Sequence, residues 1–188
     1  MKVQREAWQV DVWPLQSTWM FSFDEGLEAS FESLPFTTAF NLEAIAVEVW
    51  PERRGVPRVV FSGDDQFFEG IADRFLELNR RENPFPELTV VRGLLLAQAL
   101  DFDVGAQLAS FIAEVGPRIT LGDLELLQEK HYGWIRQEAD VLRKQIEHVD
   151  RSLQLAVEGR VKIPRIKQLN LFDEAREKGP TLRTYALG

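Results

Sequence analysis

Between Ile135 and Ala156 the apolar residues fall at Ile135, Ala139, Leu142, Ile146, Val149, Leu153 and Ala156, a spacing of 4, 3, 4, 3, 4, 3. That rhythm keeps a narrow apolar stripe on one helix face, and such a stripe needs one helix to pack against. The start of the helix is marked upstream, where Thr120 and Asp123 stand three apart as a near capping box. The pattern predicts a single long helix from Thr120 to about Gly159. Its partner is either an earlier helix of the same chain, in a hairpin, or the same seam of a second copy, in a homodimer; the spacing leaves both open.

The sequence before this helix divides in two. Up to Gly63 it reads as strand. Trp8, Val10 and Val12 alternate with Gln9 and Asp11, and Thr18 to Phe23 forms a second short aromatic run. Ala44 to Trp50 and Arg58 to Phe61 are further strand candidates, joined by a loop at 51–57. Asn41 offers the alternative of a helix cap before the first of these. After Gly63 the spacing turns helical. Asp64 can cap a helix showing Phe67, Phe68, Ile71, Phe75 and Leu78 at intervals of three and four. Asn83-Pro84-Phe85-Pro86 ends it. A second helix is expected from Pro86 to about Leu100, with proline in its first turn, and a third from Val104 to Val115, stopped by Gly116-Pro117. The expected fold class is α+β: a small N-terminal antiparallel sheet, then helices, one of them long and C-terminal, then an extended tail. One domain is expected over 1–159, followed by a basic flexible tail over 160–188.

Composition narrows the function classes. Hydrophobic residues make up 45% of the 188, with 13 Phe and 5 Trp, ample for a packed core. Cysteine is absent, which removes disulfides, thiolate metal sites and cysteine nucleophiles. No apolar run is long enough for a spanning helix and the N-terminus has no signal-peptide core, so a cytoplasmic protein with no membrane partner is expected. The net charge of -8 is uneven. Residues 159–188 carry seven Lys/Arg against three acids, +4, which leaves -12 for the rest. An acidic body is a poor footprint for duplex DNA, whereas the basic tail suits an acidic partner or weak contact with nearby phosphate.

In that tail stands Gln168-Leu169-Asn170-Leu171-Phe172. The segment resembles the pentapeptide that bacterial proteins present to the β sliding clamp, commonly Gln, Leu, Ser or Asp, Leu, Phe. Four positions match outright, and Asn170 replaces the usual small polar residue with another. The resemblance covers five residues and so implies a partner, not a whole-chain family. It implies that the Gln168 amide hydrogen-bonds at the rim of the clamp groove, that Leu169 fills a small depression, and that Leu171 and Phe172 plug the main apolar pocket. The function it implies is a non-catalytic accessory or adaptor protein of bacterial or phage DNA replication or repair. Two alternatives stay open: a clamp-tethered, Mg²⁺-dependent nucleic-acid-processing enzyme, and a dimeric regulatory or structural protein whose peptide is a packed helix over Leu169 to Glu177.

Weaker signals point nowhere specific. His131 and His148 lie 17 residues apart, too far to share a metal on one helix face. Asp64, Asp65, Glu69 and Asp73, and separately Asp101 and Asp103, lack a diagnostic metal spacing. Gln107 to Leu127 loosely suits a helix-turn-helix, but Asp123, Glu125 and Glu129 would repel phosphate. Trp8, Trp13, Trp19, Phe21 and Phe23 suit a core better than base stacking, having only Lys2 and Arg5 near them. No catalytic residue, metal or cofactor is expected.

Overall fold

The computed structural model describes residues 2–5, 8–24, 26–49, 57–153 and 159–164. The architecture is α+β. Among the described residues there are three two-stranded sheets and six α-helices, the longest being of 15 residues.

The first sheet pairs β1 (Lys2–Arg5) with β2 (Trp8–Asp11), antiparallel, Val3 opposite Val10. The aromatic run that follows is not a strand but one helical turn and a half, α1 (Trp19–Phe23), which buries Met20. The second sheet pairs β3 (Ile45–Val47) with β4 (Val60–Ser62), with Ala46 opposite Phe61. β3 lies inside its expected segment, and β4 overlaps the end of its own and runs one residue past Phe61. Asn41 caps no α-helix. Fully buried in a 3-10 turn, it accepts from the N–H groups of Leu42 and Glu77 and donates to the carbonyls of Gln66 and Phe75.

Helix α2 covers only Gln66–Asp73, with the Asp64 carboxylate accepting from the Gln66 N–H at 3.1 Å. The expected stripe through Leu78 fails at Arg74, which turns left-handed at φ 55°. Beyond it Phe75 and Leu76 become β5 and pair in parallel with β6, Asp103–Val104. Threes and fours therefore ran across a break: Phe68 and Ile71 face solvent, while Leu76 enters the core through β5 and Leu78 through an isolated bridge with Phe40.

Helix α3 spans Pro86–Leu100, as expected, and α4 spans Ala106–Val115, leaving Val104 to the sheet. The N-terminus of α4 is held from afar. The Glu77 carboxylate accepts from the N–H groups of Gln107 and Leu108, at 3.2 and 2.6 Å.

The long helix is two helices. α5 covers Leu121–Tyr132 and opens on the expected Thr120–Asp123 capping box. It stops at Gly133, whose φ of 81° is a left-handed C-cap. α6 covers Ala139–Leu153. The completely buried Gln128 side chain stitches the break: its oxygen accepts from the N–H of Arg136 and Gln137, and its nitrogen donates to the Gln137 and Leu124 carbonyls. Ile135 thus lies outside any helix and exposed, and Ala156 is outside the described residues. The remaining seam is buried at home: Ala139, Leu142, Ile146 and Val149 pack into the core with Leu108 and Ile112 of α4 and Leu124 of α5. Among the described residues this part of the seam packs against helices of the same chain.

Candidate functional site

All five residues of the expected docking peptide, Gln168, Leu169, Asn170, Leu171 and Phe172, lie outside the described residues. What is described is their mooring. Val161 and Val104 exchange backbone hydrogen bonds, each 2.8 Å. The Val161 and Ile163 side chains are buried in the main core. His148 Nε2 on α6 lies 3.0 Å from the Lys162 carbonyl oxygen. Arg160 pairs with Asp73 at 3.2 Å and stacks its guanidinium over the Phe75 ring at 4.4 Å. Alternating β-branched residues explain this: Val161 and Ile163 point inward while Arg160, Lys162 and Pro164 stay exposed. Through Pro164, the segment that reads as the start of a tail belongs to the body.

The other sequence candidates are dispersed. Asp64, one residue before the N-cap Asp65, accepts from the Gln66 N–H of α2, Asp73 holds Arg160 and Asp101 holds Arg74 at 3.2 Å. Among the described residues no three His, Asp or Glu side chains gather as a metal-holding group. His148 stands at the mooring, on a different helix from His131, whose ring meets that of Tyr132 edge-on at 4.5 Å. Burial first, then the nearby Arg92 and Arg136 charges, hold the His131 pKa below its ordinary value. The helix-turn-helix candidate is α4, a 3-10 turn at Gly116–Arg118 and α5, with the acidic Asp123 in the first turn of α5.

Sequence reasoning missed two concave surfaces. Trp13 and Trp19 are not core residues; both are substantially exposed. They rim a cleft of about 530 Å³ with Phe85, floored by Thr18, Thr89 and Arg92. Arg92 is occupied there, paired with Glu43 and lying 5.4 Å from the centre of the Phe40 ring. The second is a groove of about 420 Å³ beside the β3–β4 ribbon, lined by Phe31, Leu34, Val59, Phe61 and the consecutive residues 46–49. Its signal was present in the sequence: Ile45, Ala46, Val47 and Val49, then Val59, Val60 and Phe61, put apolar residues on both faces of the ribbon instead of alternating. No described helix is long and apolar enough to cross a membrane. Comparison with protein-family models, with curated proteins and with solved structures finds no match.

Proposed function

We propose that the chain is a clamp-recruited accessory protein of bacterial or phage DNA replication or repair, docking on the β sliding clamp through Gln168-Leu169-Asn170-Leu171-Phe172. The observation that carries the reading is the match of four of five residue types to the clamp-binding pentapeptide. Their chemistry suits the task. Leu169, Leu171 and Phe172 each contribute roughly 1.5–3 kcal/mol on burial in a partner. Ordering the segment takes back several kcal/mol. A micromolar Kd, about -8 kcal/mol and weak enough to let partners exchange, therefore also needs the Gln168 amide and main-chain hydrogen bonds at the groove rim.

The mooring supports the reading through distance. Gln168 follows Pro164 by four residues, a span of at most about 14 Å when extended. A clamp holding the peptide therefore holds the acidic body close beside it. That arrangement fits an adaptor whose body presents something to the replication machinery.

Sedimentation velocity of the full chain mixed with a bacterial β clamp tests the proposal. The chain should co-sediment with the clamp, and excess synthetic peptide covering residues 165–175 should release it, whereas a scrambled peptide should not. Failure to co-sediment at concentrations well above micromolar overturns the reading.

A further inference from the structure

The β3–β4 ribbon has the composition of interior strands and the position of an edge. Val47 and Val60 are cross-strand partners on one face, each about half exposed (50% and 51%), with Val49 beside them at 53%. The opposite face carries Ala46, Phe61 and Val59, with the Phe31 ring stacked on Phe61 at 6.2 Å and itself 58% exposed. Strands apolar on both faces are ordinarily covered on both, and an open edge of this kind is a template for another strand.

Both strands of this two-stranded sheet have an outer edge; the groove lies along β3, whose register is fixed. The Glu48 N–H donates to the Val59 carbonyl at 2.9 Å. Alternation along an antiparallel ladder then directs the main-chain groups of Ala46 and Glu48 toward β4, and those of Ile45, Val47 and Val49 outward. Among the described residues no main-chain partner takes up the outward groups of Val47. The groove confirms the edge. Residues 46–49 line it consecutively, whereas β4 contributes only the alternate residues Val59 and Phe61.

We infer that the outer edge of β3 binds an extended peptide by strand addition: a segment of another protein, apolar at alternate positions and uncharged or basic between them. Area argues against a second copy. A handful of half-exposed side chains presents on the order of a few hundred Å², while a stable pair of proteins needs about 800 Å² from each partner. Charge argues the same way, because two bodies of net -12 (-8 minus +4) repel each other. A short strand needs less area, since main-chain hydrogen bonds supply part of its affinity and one or two groove-filling side chains the rest. Glu48, at the groove wall, favours a lysine or arginine in the added strand.

The test selects from a displayed library of random ten-residue peptides on the full-length chain, then measures the best labelled peptide by fluorescence anisotropy. Val47→Pro removes one outward N–H and spares the ladder to β4, which uses Ala46 and Glu48. It should weaken binding at least tenfold with the melting temperature nearly unchanged. Peptides N-methylated at alternate amides form a second arm that needs no protein variant: one register should abolish binding and the other should leave it. Three results overturn the inference: no enriched peptide, equal loss from both N-methylation registers, or concentration-dependent dimers that Val47→Pro dissolves.

Discussion

Val104 and Val161, 57 positions apart, exchange both backbone hydrogen bonds at 2.8 Å and bury both side chains. With the buried Ile163 two residues on, this pair closes the described packing of the domain. Val104 belongs to β6, which joins β5, and Leu76 of β5 sits in the core beside Val161. The mooring is therefore part of the main core, not a strap lying over it.

Val161→Ala should consequently lower global stability. Loss of two buried methyl groups costs about 1–2.5 kcal/mol, which for a chain of this size lowers Tm by roughly 2–10 °C. Thermal unfolding by circular dichroism reads the change, and clamp affinity should not move. An unaltered Tm contradicts the mooring.

Two buried glutamines should behave oppositely. Gln128 satisfies four main-chain groups around the α5–α6 break. Gln128→Leu strands three of them outside any helix, at a cost of about 2–4 kcal/mol. Gln145 on α6 is nearly as buried, yet among the described residues neither its oxygen nor its nitrogen has a hydrogen-bond partner. Gln145→Leu should be neutral or stabilising by about 1 kcal/mol. Urea unfolding of the two variants, side by side, checks the contrast; equal losses contradict it.

Acid should weaken the fold through His131. Its pKa in the folded chain lies below the ordinary 6.5, chiefly from burial and then from Arg92 and Arg136. The unfolded chain therefore binds more protons, so stability rises with pH and falls as pH drops through 6.5 toward the folded value. The partial exposure of the ring keeps the slope shallow. His131→Gln should flatten stability against pH between about 5 and 7, measured by urea midpoints. A slope that survives the substitution assigns the effect elsewhere.

Local signals carried much of the fold. Pro86 in the first turn gave both the start and the setting of α3, and the Thr120–Asp123 pair gave the start of α5 to the residue. The strands at Ile45–Val47 and Val60–Ser62 followed from β-branched runs around a loop. Two of the failures involve partners distant in sequence. Nothing near Arg74 announces that it turns left-handed so that Phe75 can pair with Asp103. The break at Gly133 is held by Gln128, and a heptad count passes over one glycine without registering a C-cap. Val161 and Ile163 looked like a linker because the buried strand they join, at Val104, is itself only two residues long. The proposed docking peptide lies outside the described residues, and its reading rests on five consecutive residue types alone.

Isothermal titration of the full-length chain into a bacterial β clamp, beside a melting curve for each variant, tests the central claim most directly. The native chain should bind with a Kd of about micromolar. Leu171→Ala with Phe172→Ala should weaken binding at least thirtyfold and leave Tm within a degree. Undiminished binding by the double variant, or a Tm lowered by several degrees because the two side chains fill the chain's own core, contradicts the account.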